Sequence, residues 1–261
     1  MFLFLRSAVL AALALPVFAQ KPDVAQIIQK SVAANQADFD AAPQFNFKET
    51  DRDGKGTKTY QVTMIDGTPY NQLIALNGEA LSKSQQQQEQ QKQQQETAKR
   101  RSESASERQQ RVAKFEKERK RDHAMMEQLT KAFNFTYIGQ RRVRGFNVWV
   151  LKAKPRPGYQ PPNLETQVLP GMQGQLWIDQ KTYQWVRVTA QVVHPVSIEG
   201  FLARVEPGTQ FEMEMSPVGG NIWQISHFAM RSKARILGMI NRGSEENSSY
   251  FDYQRASTAA K

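Results

Sequence analysis

The residues of this 261-residue chain that could do chemistry are few and scattered. His123, His194 and His227 stand alone, and no two of them share the spacing of a metal-binding pair. Ser197 and Ser226 each lie near a histidine in sequence, but neither sits in the glycine pattern of a nucleophile elbow. Asp51 and Asp53 before Gly54 form the first half of a calcium loop without the remaining ligands or the terminal glutamate. There is no cysteine, so disulfides, thiolate metal sites and thiol catalysis are excluded. Trp149, Trp177, Trp185 and Trp223 read as sheet packing, and only an exposed pair would serve as a sugar platform. The chain is expected to be no enzyme and to need neither metal nor cofactor. Its chemistry must come from shape, apolar surface and charge.

Those features require elements to carry them. Arg6, the apolar run Ser7 to Leu15, and Val17 and Ala19 placed three and one before Gln20 predict a cleaved export signal over residues 1–19. The run is much shorter than the about 20 residues that span a bilayer. No cysteine follows it for lipidation, so residues 20–261 are expected as one soluble periplasmic domain. That length suits an all-β domain of about 200 to 250 residues.

Strand signals fill most of it. In Tyr183 to His194, Val186, Val188, Ala190 and Val192 alternate with Arg187, Thr189 and Gln191, the period of a sheet wet on one face. Gln44 to Thr50, Thr57 to Ile65 and Pro69 to Leu76 form a meander, with Asp66-Gly67 as a tight hairpin turn. Phe133 to Gly139 pairs with Val143 to Ala153. The remaining strands are Gly174 to Asp179, Phe201 to Val205, Thr209 to Met215, Ile222 to Met230, Ala234 to Ile240 and Ser248 to Tyr253. Short strands at this spacing predict a mainly antiparallel, unclosed barrel. A short amphipathic helix over Val24 to Val32 precedes them, from the spacing of Val24, Ile27, Ile28 and Val32.

The exception is a polar arm at about residues 82–132, rich in Gln, Glu, Lys and Arg and free of Pro and Gly. As one helix it would extend about 75 Å at 1.5 Å per residue. The Ser-rich stretch Ser102 to Ser106 offers a place to fold back. Ala98, Ala105, Val112, Met126 and Phe133 recur at multiples of seven, with Phe115 and Leu129 beside them, so its C-terminal end is expected to dock on the sheet. The formal net charge of +10 concentrates here. Arg111, Lys114, Lys117, Arg119, Lys120 and Arg121 are candidates for binding an anionic membrane surface, while a plain solvated insertion is the other reading. Nucleic acid is not expected, since no recognition motif is present.

The order of helix, meander, helical insertion, GQLWIDQKTYQWVRV and GTQFEMEMSPVGGNIWQIS resembles the periplasmic lipoprotein carriers LolA and LolB and their superfamily. The pattern covers about Val24 to Tyr253, most specifically Gly174 to Val188, and the long basic arm departs from it. The resemblance implies a half-barrel whose concave face holds a lipoprotein or lipid acyl chain beneath a helical lid. No individual residue of the family transfers to a position here. Candidates for lining such a cavity are the same-face sets Tyr60, Val62 and Met64; Leu176 and Ile178; Val186 and Val188; and Phe211, Met213 and Met215. Packed core is their other reading. The functional expectation is a carrier or binder of apolar envelope ligands; the alternative is an envelope interaction or sensor protein whose sheet is a scaffold for the arm.

Overall fold

In the computed structural model, residues 21–198, 203–236 and 240–256 are described. The expected export signal lies outside the described residues, as do Phe201 and Leu202 of one expected strand and Leu237 to Met239 of another.

Helix α1 (Val24–Ala41) starts where the Asp23 carboxylate accepts the Gln26 backbone N–H at 3.1 Å. It runs nine residues beyond the predicted end at Val32. Its buried stripe continues as Ser31, Asn35, Asp38 and Ala41, mostly polar residues that a search for apolar period does not see. Strands β1 (Phe45–Asp53), β2 (Gly56–Ile65) and β3 (Thr68–Leu76) form the predicted meander, and β4 (Glu79–Ala80) is a two-residue edge. The β2–β3 and β3–β4 turns put Asp66-Gly67 and Asn77-Gly78 at positive φ, the primed geometry that matches strand twist.

The arm is two helices, α2 (Lys83–Ser102) and α3 (Ala105–Ala132), broken within the Ser-rich stretch. Each opens with a capping box, Ser82 with Gln85 and Ser104 with Glu107. Strand β5 (Phe133–Val143) and β6 (Phe146–Pro155) follow, turning at Arg144-Gly145 rather than in the predicted gap before Val143. Then come β7 (Met172–Asp179), β8 (Trp185–Val192), β9 (Val196–Ile198), β10 (Ala203–Val205), β11 (Gln210–Gly219), β12 (Ile222–Ile236) and β13 (Ile240–Arg255). The two strands predicted between Ile222 and Ile240 fall largely within the one long strand β12.

All pairings are antiparallel and run in the order β4-β3-β2-β1-β13-β12-β11-β8-β7-β6-β5, with β10 and β9 beside β12. The sheet does not close: its edges are β4 and β5. These two strands are joined in the chain by α2 and α3 alone. Helix α2 packs on β3, and α3 touches β3 at one side and β5 at the other, so the arm crosses the opening instead of projecting from it. The break falls in the Ser-rich stretch, and the arm's basic residues include the ties that hold it down.

The core gathers α1 (Ile27, Ile28), β6 (Val148, Leu151), β7 (Leu176, Ile178), β8 (Trp185, Val188), β11 (Met213, Met215) and Trp223 of β12. A register shift in the β7–β8 pair sets Trp185 opposite Ile178, where strict alternation sets Arg187 opposite Trp177. Trp185 thus joins the buried face and donates from Nε1 to Ser31 Oγ at 2.9 Å, pinning α1 to the sheet.

Candidate functional site

The docked end of the arm makes the enclosed site. Helix α3 presents Met125, Met126 and Leu129 to the sheet face formed by Leu176, Val188, Ala190 and Phe211, with Leu169 and Met172 at one end. Between them is an apolar cavity of about 40 Å³. A single water needs about 10–15 Å³ on the same measure, so the space admits small groups only. Helix α3 is seated over it. The methionines on this wall are unbranched and polarizable, side chains that fit irregular apolar surfaces.

The candidate lining residues divide three ways. Leu176, Val188 and Phe211 line the cavity. Ile178, Val186, Met213 and Met215 are buried in the surrounding core and do not reach it. Tyr60, Val62 and Met64 lie on β2; Val62 is only 2% exposed, but it packs outside that core. The wall supplied by α3 was visible in sequence only as the seam through Met126, Leu129 and Phe133.

The six basic candidates split as well. Arg111 donates to the Glu103 carboxylate at 2.6 Å, to Thr68 Oγ1 at 2.6 Å and to the Asp66 carbonyl at 3.2 Å. Arg119 pairs with Glu116, donates to the Phe39 carbonyl and lies over the Phe39 ring. Both guanidinium groups are spent on holding α3 to the β2–β3 turn and to α1. Lys114, Lys117, Lys120 and Arg121 are exposed and form the outward basic face of the same helix. A tie not foreseen is Arg100, which is 8% exposed. It pairs with Glu96 and donates to the carbonyls of Ile65, Thr68 and Pro69.

Under α1, the Asp38 carboxylate accepts from the Trp223 backbone N–H at 2.8 Å and from Gln184 Nε2 at 3.2 Å, while its second oxygen has no partner. Burial pushes its pKa up to about 7. Glu49 on β1 is also pushed up to about 7, first by burial and then by the charge of neighbouring Asp51.

The histidines are dispersed. His123 stacks on Phe39 at 4.1 Å, and burial lowers its pKa; His194 is exposed; His227 lies in register between Glu214 and Ser249. Asp51 Oδ1 accepts from Ser248 Oγ at 2.7 Å, and Asp53 Oδ1 accepts from the Lys55 N–H at 2.7 Å, a short turn rather than a calcium loop. Among the described residues no group of three or more His, Asp or Glu is placed to hold a metal ion. Trp185 and Trp223 are buried, Trp149 packs on Tyr183, and Trp177 lies under the Arg187 guanidinium. Among the described residues no helix is long and apolar enough to cross a membrane.

No protein-family model matches the sequence, and no curated protein matches it. Solved structures to which the chain is similar include a DUF1329 family protein from Desulfovibrio piger, with TM-score 0.33, 11% identity, and 91% of this chain and 95% of that chain covered. Others are an outer membrane lipoprotein-sorting protein domain from Vibrio parahaemolyticus (TM-score 0.32, 10% identity, 90% and 95% covered) and a LolA superfamily protein from Nitrosomonas europaea (TM-score 0.32, 9% identity, 90% and 94% covered). The group that the sequence resembles is thus among the structures that the chain is similar to.

Proposed function

We propose that the protein is a non-enzymatic binder of an apolar chain, of the acyl type, which it holds between the concave sheet face and α3 in the periplasm. The observation that carries this reading is the seam of Met125, Met126 and Leu129 closing over Leu176, Val188 and Phe211. The wall is a helix fastened elsewhere by polar ties, Arg111 to the β2–β3 turn and Arg119 to α1. Ligand pockets commonly run to about 300–1,000 Å³, so loading requires α3 to lift. The outward face bearing Lys114, Lys117, Lys120 and Arg121 gives an anionic membrane a hold on that same helix, worth about 1 kcal/mol per basic residue near such a surface. The alternative role, a sensor that docks by its arm, shares this surface and differs in having no apolar cargo.

Two measurements separate them. Mass spectrometry of lipid extracted from purified protein identifies cargo, and a fluorescent fatty acid reports uptake. Ala190→Trp fills the cavity from the sheet side and is expected to abolish uptake while cooperative melting persists. Wild-type protein that neither carries lipid nor takes up the probe would reject the binder reading in favour of the docking one.

A further inference from the structure

A larger cavity, about 710 Å³, is on the other side of the sheet. Its lining includes Gln175, Thr189, Glu212, Ala229 and Asn247, which are cross-strand register partners in β7, β8, β11, β12 and β13. The next outward row, Gln173, Gln191, Gln210, Arg231 and Glu245, lines it too. Leu176, Val188 and Met213 alternate with the first row and face the core, so both rows project from the opposite face. Between the rows the sheet is bent, and the main chain at Gly174 and Ala190 forms the floor. A Cβ on Gly174 would stand 2.3 Å from the Thr189 carbonyl oxygen, so glycine is required for strands to pass this closely. Lys152 of β6 adds a sixth strand, and six neighbours at about 4.8 Å give a trough roughly 24 Å long lying across the strands.

The chemistry of that trough is specific. Glu212 is paired with Arg187 at 2.7 Å and Arg231 with Glu245 at 2.7 Å, and the remaining charged lining residues, Lys152 and Glu246, are of opposite sign. The side chains of Gln173, Gln175, Gln191, Gln210 and Asn247 hydrogen-bond to no other described residue. Each amide offers two donors and a two-lone-pair acceptor. Five unspent amides and the Thr189 hydroxyl, facing a neutral elongated trough, complement a ligand whose every group both donates and accepts. That is a chain of sugar hydroxyls. An extended peptide fits less well, because peptides gain affinity at sheet edges and these strands have spent their main-chain groups on their neighbours.

We infer that this trough is a second binding site, for a neutral linear oligosaccharide held by the amide rows. The trough and the apolar cavity open on opposite faces of the sheet and share Gln173, Gly174, Thr189, Ala190 and Phe211 between them. Calorimetric titration of the purified protein with chitotetraose, cellotetraose and maltotetraose is expected to show millimolar or tighter binding of at least one. The triple substitution Gln175→Ala, Gln191→Ala, Gln210→Ala removes amides without touching the core, and is expected to weaken that binding roughly tenfold or more at unchanged melting temperature. Absence of heat with all three sugars overturns the inference, as does binding that the triple variant retains in full. Binding of an extended neutral peptide with the same dependence on the three glutamines, and of none of the sugars, also overturns it.

Discussion

Asp38 on α1 and Trp223 on β12 meet across 185 residues of chain, the buried carboxylate accepting the tryptophan backbone N–H at 2.8 Å. This contact and the Ser31–Trp185 hydrogen bond fix the N-terminal helix on the sheet. It also makes the helix seat sensitive to pH, because the carboxyl is held partly protonated near neutrality.

A carboxyl whose folded pKa is raised contributes stability that is fully present below its unfolded pKa and is lost as pH rises through the folded one. For Asp38 and Glu49, both raised to about 7, the loss falls between about pH 4 and pH 7. Asp38→Asn keeps an acceptor for Trp223 and cannot ionise. Denaturant melts are expected to show the variant gaining on wild type as pH rises from about 4 to 7 and more stable at pH 8, on the order of 1–2 kcal/mol, since surrounding polar groups and solvent screen the full shift. Equal stability at pH 8 would place the ionisation elsewhere.

The arm's two basic faces should respond differently to substitution. Replacing Lys114, Lys117, Lys120 and Arg121 by Gln is expected to abolish salt-sensitive binding to anionic vesicles while the sheet stays folded. Arg100→Met removes donors from three main-chain carbonyls and is expected to destabilise the protein by about 1–3 kcal/mol. Vesicle binding indifferent to salt and to the four substitutions would argue that the outward face is simply solvated.

Cavity and core also predict opposite outcomes for one type of change. Ala190 lines the cavity, whereas Met213 is 7% exposed and packed. Met213→Trp is expected to cost about 1–3 kcal/mol by overpacking, and Ala190→Trp distinctly less because α3 can yield. Paired thermal melts decide it, and equal losses would mean the cavity is no softer than the core.

At Gly174 the prediction is steric. Gly174→Ala places a methyl 2.3 Å from a main-chain oxygen, so the β7–β8 pair must part. A destabilisation of about 1–3 kcal/mol is expected, with the sugar-binding trough distorted as well. A fully stable variant would show that the bend tolerates a side chain.

The half-barrel was legible because period-two alternation and Asx-Gly turns report directly on local backbone, as at Asp66-Gly67 and in Val188 to Val192. The extent of α1 was not, because Ser31 and Asp38 are buried by partners over a hundred residues away, Trp185, Gln184 and Trp223, while Asn35 turns its amide back onto the Ser31 carbonyl. That Trp185 shares the buried face with Val188 is not readable from residue types, because a register shift leaves no trace in them. Of the cavity, Leu176, Val188 and Phe211 could be named from their faces, but which of the same-face residues reach α3 depends on where the arm lands. The amide trough read as an ordinary wet face. Gln175, Thr189 and Asn247 become one row only when the cross-strand register is known.

The connection from β4 to β5 through α2 and α3 makes the arm a spacer as well as a cover. Twenty residues of α2 and 28 of α3 span roughly 30 Å and 42 Å at 1.5 Å per residue. Rigid rods of fixed length between the two free margins of the sheet set how far apart those margins stand. Excising a helical turn draws the margins together by up to about 5.4 Å, and inserting one splays them. The breadth of the concave face, and hence the girth of what it admits, is therefore written in the number of residues between Ser82 and Phe133, in a stretch whose composition alone reads as dispensable filler.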